Sequence, residues 1–507
     1  MQLRANQLFA SDEELTSDYL NAAIWAEATG ALNQAALDAD YQKLVKWQDH
    51  PEQFMNEVLN FFPWTCEDAD DQLDIVHAIR DHPKVSVRSG NGIGKTAIAA
   101  RIAIWFLTCF YKSIVITTAP TTRQVEKLLW GEIREAYKTS NIPLGGELLT
   151  TQIRKEDKWY ALGFSTDEKE KFQGYHAPYI LVIVDEASGM AEPIFEAIEG
   201  LLTTENAKVL LISNPTNPTS YFGRTHLHPR ESKEWMKLHI DCYNSPNVKA
   251  GRQVIPELCS YKWPDRKRKS WGEYNPFFKV RVLGEFPETG EDCLIPYHMV
   301  HSALERASHP AGSKVLGIDI ARFGGDKSVI GRLHENQFRI LKKIFKQDGV
   351  YVADQIVREL KEPSNDDIER IKVDVIGWGA GCYDELVRKK KDGTDEEKAI
   401  LKEIKLDSIN VSESPRGKKA AKDYGNLRAQ AAFSLRKDFE EGLADINDEE
   451  LGVQLANIRY KFQKGKYFLE PKKDFKKRLG TSMGSPDELD SYLIAKAMAG
   501  TITPHLY

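Results

Sequence analysis

Between residues 55 and 225, short uninterrupted apolar runs alternate with stretches of helical periodicity. Val85-Ser-Val87, Ile114-Val-Ile-Thr-Thr118, Ile180-Leu-Val-Ile-Val184 and Val209-Leu-Leu-Ile-Ser213 are short apolar runs rich in β-branched residues. That pattern predicts strands buried on both faces, as in a parallel sheet covered by helices. Residues 1–54 read as a helical segment, with runs such as Asn21-Ala-Ala-Ile-Trp-Ala-Glu-Ala28. Residues 226–305, rich in Pro, Trp, Tyr and charge, read as a connector. A second strand-rich block, 306–507, opens on Lys314-Val-Leu-Gly-Ile-Asp-Ile320 and closes in a helix near 487–499. The expected architecture is therefore α/β throughout, with two chemistry-bearing domains.

Composition narrows this without redirecting it. A chain of 507 residues exceeds what one compact core holds. No run of eighteen apolar residues offers a membrane span, and the N-terminus has no apolar stretch of a secretory signal. The six cysteines (66, 109, 242, 259, 293 and 382) include no Cys-x-x-Cys pair, so neither a zinc site nor a disulfide framework is expected, and a reducing compartment is. The net charge of −6 does not decide polyanion binding, because phosphate contacts need only local positive potential. Four basic clusters supply it: Lys262–Lys269, Arg388–Lys391, Arg416–Lys422 and Lys472–Arg478. Three of these follow residue 380, which favours the second half of the chain.

The run Ser89-Gly90-Asn91-Gly92-Ile93-Gly94-Lys95-Thr96 follows a predicted strand and precedes the helical run Ala97-Ile-Ala-Ala-Arg-Ile-Ala-Ile-Trp105. Glycines there let successive N–H groups converge on phosphate oxygens, and the helix N-terminus adds partial positive charge. Lys95 would reach the β- and γ-phosphates of ATP, and Thr96 would hold Mg²⁺. Ninety residues on, the apolar run Ile180–Val184 ends in Asp185-Glu186. Adjacent acids at the end of a buried strand call for a cation: Asp185 suits the Mg²⁺, and Glu186 the activation of the attacking water. Ser213-Asn-Pro-Thr216 ends the next buried strand, where it would sense the γ-phosphate. Thr118-Ala-Pro-Thr-Thr-Arg-Gln124 ends another, where DNA or nucleotide would be met. Upstream, Trp64 and Gln72 are candidates for contact with adenine.

The second block carries carboxylates without supporting histidine or cysteine. Asp319 lies inside the apolar run Val315–Ala321, and Asp374 in Val373-Asp-Val-Ile-Gly-Trp-Gly-Ala-Gly381. Ser485-Pro-Asp-Glu-Leu-Asp490 opens the last helix and puts Asp487 and Asp490 on one face. Hard oxygen ligands of this kind suit Mg²⁺ or Mn²⁺, and two such ions would clamp the attacking and leaving oxygens of a phosphodiester. Asp326, in the turn Arg322-Phe-Gly-Gly-Asp-Lys327, reads as a turn residue.

Taken in order, these motifs resemble the large terminase subunit of tailed bacteriophages from about residue 55 to 500. Ser89–Thr96 resembles that family's Walker A loop, Phe172-Gln-Gly-Tyr-His-Ala177 the segment before its Walker B strand, and Val184-Asp-Glu-Ala187 the Walker B motif itself. Ser213–Thr216 is similar to its coupling motif, and Arg281-Val-Leu-Gly-Glu-Phe-Pro287 to its passage into the nuclease. Gly317–Ala321, Asp374–Gly381 and Ser485–Asp490 resemble the nuclease motifs. The resemblance implies a RecA-like P-loop ATPase, a small linker subdomain and an RNase H-like nuclease. It implies a ring of subunits on the portal protein of a procapsid, drawing in double-stranded DNA, with a small terminase subunit selecting the site to be cut. The setting would be the host cytoplasm and not the mature virion. Lys95, Thr96 and Asp185 would then serve nucleotide and Mg²⁺, and Glu186 would be the catalytic base. Asp319, Asp374 and Asp490, with Asp487 beside them, would hold the nuclease metals. One departure concerns the arginine that some members carry in the Walker A loop, where this sequence has Asn91. Arg88, Lys171 and Arg224 stand as candidates for the missing charge. The rival reading is a helicase-like repair or recombination ATPase with an attached nuclease, which would require a second RecA-like block between 225 and 310.

Overall fold

The structure, a computed structural model, describes residues 43–165, 172, 174–288, 290, 292–321, 326–479 and 484–498. Most of the helical segment expected over 1–54 lies outside the described residues, as does Lys171; within the segment, 43–49 are helical. The chain divides into two compact units, Met1–Arg266 with Lys279–Pro287, and Lys267–Phe278 with Glu288–Tyr507.

In the first unit eight strands form one sheet: β1 (Lys84–Ser89), β2 (Ser113–Ala119), β3 (Glu147–Leu148), β4 (Gln152–Glu156), β5 (Trp159–Ser165), β6 (Tyr179–Asp185), β7 (Ala207–Ser213) and β8 (Met236–Ile240). Their order is β3-β4-β5-β2-β6-β7-β1-β8. The six strands from β5 to β8 pair in parallel, and β3 and β4 add an antiparallel edge. All four sequence-predicted strands are present, and β2 is buried at every position, as a run without polar alternation demands. One strand, β7, separates β1 from β6, so three carboxyl ends meet at one edge of the sheet. This order, with the phosphate-loop strand β1 inside the sheet, is the RecA-like arrangement.

β8 joins the first sheet beside β1, and the helix Tyr297–Glu305 belongs to the second unit.

The second unit is built on β9 (Lys314–Asp319), β10 (Lys327–His334), β11 (Gln337–Phe345), β12 (Ile368–Asp374), β13 (Lys405–Ile409) and β14 (Asp445–Ile446). Their order is β13-β12-β9-β10-β11-β14, with β9, β10 and β11 antiparallel and β12 and β13 parallel to β9. That is the RNase H-like sheet. The final helix, α1 (Asp487–Lys496), packs across β9 and β10. Gly317 permits this approach: a side chain there would collide with the backbone of Ser491 and Ala495. The Ser491 hydroxyl instead donates to the Gly317 carbonyl at 2.8 Å. Among the described residues, no helix is long and apolar enough to cross a membrane.

Candidate functional site

Each unit has its own site. In the first, the loop 90–94 links β1 to the helix Lys95–Cys109, and Gly94 adopts φ +79° at the helix cap. A side chain there would be strained by the left-handed backbone and would displace the Gln72 amide. The loop is held from outside. Gly90 N–H donates to Ile240 O (2.9 Å), Asn91 N–H to Arg281 O (2.7 Å), and Cys259 N–H to Gly92 O (2.8 Å). Trp64 Nε1 donates to Ile93 O at 3.1 Å.

Gln72 is a correction to the adenine reading. Its amide nitrogen donates to Ile93 O (3.0 Å) and Gly94 O (3.1 Å), and its oxygen lies 3.3 Å from Trp64 N–H. Both of its donors are spent on the loop, so neither is left for a base. Trp64 and Gln72 brace the phosphate loop.

The ends of β6 and β7 complete the site. Thr96 Oγ1 donates to Asp185 Oδ2 at 3.2 Å. Lys95 Nζ donates to Asn214 Oδ1 at 3.1 Å and lies 3.8 Å from Glu186 Oε1. Glu186 has a left-handed backbone (φ 51°), a conformation that costs on the order of 1 kcal/mol or more and recurs at functional sites. The turn lets adjacent carboxylates diverge, Asp185 toward Thr96 and Glu186 toward Lys95. Ser213 Oγ lies 3.3 Å from Glu186 Oε2 and accepts from Ser188 N–H at 3.2 Å. The Ser188 hydroxyl in turn meets Thr216 Oγ1 at 2.8 Å, so β6 and β7 are latched beneath the acids.

Burial, and next the Glu186 charge, push the Asp185 carboxyl up to about 7. Ionising this carboxyl therefore carries a desolvation cost that its present neighbours do not offset. A divalent cation between Thr96 and Asp185 would remove that cost, so the donor set fits Mg²⁺. Neither described candidate for the missing arginine charge faces this cluster. Arg224 is clasped by Glu192 and Glu231, while Arg88 lies over the Phe286 ring and toward Gly284 O.

In the second unit, Asp319 and Asp374 end the neighbouring parallel strands β9 and β12, and Asp487 and Asp490 occupy the first turn of α1. All four predicted carboxylates converge. Asp319 is pushed up to about 8 by burial, with the Asp490, Asp487 and Asp374 charges adding to the effect and Lys472 opposing it. Asp374 and Asp487 are also raised, chiefly by burial. Burial acts the same way on Asp490, but Arg428 and Lys472 outweigh it and hold its carboxyl low. A cavity of about 500 Å³ opens here, lined by Asp319, Asp326, Asp487, Ser485 and Lys472 among others. Asp326, read from sequence as a turn residue, sits at its rim in an ion pair with Lys476 at 2.7 Å.

Two residues here escaped the sequence reading. Lys472 Nζ lies 2.7 Å from Asp490 Oδ2 and 3.5 Å from Asp319 Oδ2, so an ammonium stands among the carboxylates where cations would be held. Among the described residues the acids therefore close no cage of their own. Four acids drawn together, three of them raised, are nevertheless hard oxygen donors of the kind that suits Mg²⁺ or Mn²⁺. Arg428 Nε donates to Asp490 Oδ1 at 3.0 Å and Nη1 to Glu470 O at 2.9 Å. Its sequence signal was a lone arginine in the apolar helical run Leu427–Leu435.

Fold and sites together define a two-domain protein that joins a RecA-like P-loop ATPase domain to an RNase H-like nuclease domain. The chain resembles large terminase subunits over most of its length. It is 26% identical over 449 residues to a probable terminase large subunit of Enterobacteria phage P7, spanning 82% of this chain and 85% of that protein. No protein-family model matches the chain. Similar solved structures include the large terminase of a thermophilic bacteriophage in complex with ADP (13% identity, TM-score 0.39, 84% of this chain and 98% of that one). Another is the nuclease domain of the large terminase subunit gp2 of bacterial virus Sf6 (19% identity, TM-score 0.34, 41% of this chain and 100% of that one).

Proposed function

We propose that this chain is a terminase large subunit, which hydrolyses ATP to drive double-stranded viral DNA into a procapsid and cuts concatemeric DNA with a metal-dependent nuclease. The observation that carries this reading is the coexistence of two sites in one chain. Lys95, Thr96, Asp185 and Glu186 meet on one sheet, and four aspartates gather on another.

At the first site the loop amides and Lys95 bind the β- and γ-phosphates of ATP, while Thr96 and Asp185 hold Mg²⁺. Bound there, Mg²⁺ supplies neutralisation of charge on the phosphate oxygens. Glu186 takes the proton of the attacking water, and Lys95, held by Asn214, exchanges its contact with Glu186 for phosphate oxygens when nucleotide arrives. At the second site Asp319, Asp374, Asp487 and Asp490 hold one or two Mg²⁺ or Mn²⁺ ions. Arg428 fixes the orientation of Asp490, and Lys472 balances the charge of the site before metal enters. The implied partners are DNA, the portal protein of the procapsid, a small terminase subunit and further copies of this chain in a ring, within the host cytoplasm.

Separating the two activities tests the reading. Lys95→Ala abolishes ATP hydrolysis and leaves plasmid cutting in Mn²⁺, and Asp319→Ala does the reverse. Plasmid cutting that survives Asp319→Ala unchanged overturns the assignment of the second site.

A further inference from the structure

The four basic clusters have different fates in the fold. In Arg388–Lys391, Arg388 is paired with Glu385, Lys389 with Asp354 and Glu397, and Lys390 donates to Ile404 O. That cluster is largely neutralised by its own surroundings. In Arg416–Lys422 only Arg416 is paired, with Glu413. Lys418, Lys419 and Lys422 are exposed and enter no ion pair among the described residues. Lys473 and Lys477, four apart on the helix Lys472–Leu479, are likewise exposed and unpaired among the described residues, and Lys473 lines the cavity.

The lysine-bearing segment is anchored at both ends beside the carboxylates. It begins after β13, whose last residue, Ile409, is the register partner of Asp374. It ends at Arg428, whose backbone N–H donates to Val411 O at 2.9 Å and whose guanidinium holds Asp490. The same guanidinium holds Glu470 O, two residues before the helix that carries Lys473 and Lys477. Between these anchors, Arg416 and Gln430 exchange hydrogen bonds at 2.7 and 3.0 Å, which fixes the base of the loop. Uncompensated positive charge thus rises on two segments tied to the one arginine that holds Asp490.

We infer that loop 410–427, through Lys418, Lys419 and Lys422, and the Lys473–Lys477 helix face form a clamp on the phosphate backbone of the duplex, positioning it over the carboxylate site. This rests on the nuclease reading proposed above. The contacts are to phosphate, so they carry register and not base sequence. The lysines are positioning residues, since none touches the four aspartates.

The test uses the full chain with Lys418→Ala, Lys419→Ala and Lys422→Ala combined, and cutting of a linear duplex in Mn²⁺ at several salt concentrations. The expected result is a KM raised about tenfold or more with kcat within twofold. The slope of log KM against log salt should fall by about 2.7, which is three phosphate contacts at roughly 0.9 each. The control variant Arg388→Ala, at a side chain already paired with Glu385, should move neither quantity. A thermal melt checks folding, and the glutamine triple variant replaces the alanine one if that fails to fold. Unmoved KM and salt slope in the triple variant, with wild type cutting normally, overturn the clamp alone. A wild-type chain that does not cut duplex in Mn²⁺ overturns the nuclease reading itself.

Discussion

Lys95 and Asn214, 119 residues apart in the chain, meet at 3.1 Å at the edge of the first sheet. Asn214 is bound on its other side too, its Nδ2 donating to Ser89 O at 2.6 Å. One amide therefore spans the two ends of the phosphate loop, touching the residue before it and the lysine after it. Any shift of β7 against β1 is felt by the ammonium.

Asn214→Ala is accordingly expected to lower the kcat of ATP hydrolysis about 10- to 100-fold, or ~1.4–2.7 kcal/mol of transition-state stabilisation. Nucleotide binding should change much less, because the loop amides remain. Steady-state ATPase assays beside equilibrium binding of ADP separate the two effects. A variant that loses binding and retains turnover would contradict this role.

Gln72→Ala removes one donor from each of the Ile93 and Gly94 carbonyls, which keep Trp64 Nε1 and the Ile98 N–H, at a cost of about 1 kcal/mol. Binding of ATP and GTP should weaken together, by about tenfold, because Gln72 braces the loop and does not read the base. Titration of both nucleotides against both proteins measures it. A loss confined to ATP would restore the adenine contact expected from sequence.

Arg428→Ala removes the main cation from Asp490, and both side chains are about nine-tenths buried. Breaking a buried pair by removing one partner typically costs about 3–5 kcal/mol. Lys472 remains at 2.7 Å from Asp490, which places the expected loss toward the lower end. Denaturant unfolding of the second unit should show it, with Asp490→Asn in the same chain recovering part. Equal stability of Arg428→Ala and wild type would remove Arg428 from the account of the site.

His226, whose Nε2 lies 3.0 Å from Ser86 Oγ under the first sheet, gives a pH dependence. Burial, then the charge of Arg88, pushes its pKa down to about 3. Between that value and the unfolded 6.5, the unfolded chain binds one proton more than the folded chain, so stability falls as pH drops through this window. Its contribution is flat above 7.5 and falls by about 1.4 kcal/mol on reaching pH 5.5. The melting temperature of the first unit at pH 7.5 and 5.5, in wild type and His226→Gln, checks this. The glutamine variant should lose less on acidification.

What could be read from the sequence was what depended on local pattern. β2, β6 and β7 are buried at nearly every position, and a strand buried on both faces shows as a nearly continuous apolar run. The glycine-lysine-threonine loop and the Asp185-Glu186 pair were visible because their chemistry constrains adjacent residues. β8 was missed because it is an edge strand: Met236-Lys-Leu-His-Ile240 keeps two exposed and three more covered positions within a Trp- and Pro-rich stretch. The role of Gln72 was illegible for another reason. Its partners are carbonyls 21 and 22 residues away, and any residue type offers a carbonyl. Lys472 was noticed only as one charge in a cluster; that it faces Asp490 and Asp319 depends on how its helix packs, which spacing does not encode.

The phosphate loop is clasped by Ile240, Arg281, Cys259, Trp64 and Gln72, all of them contacts within the protein itself. Its mould is therefore cast by the fold, and the ordering entropy of that loop is charged to folding instead of to each catalytic cycle. A machine that must bind and release nucleotide many times for one length of DNA gains from this. Release needs no local melting, and the step that varies from turn to turn is left to the mobile ammonium of one lysine.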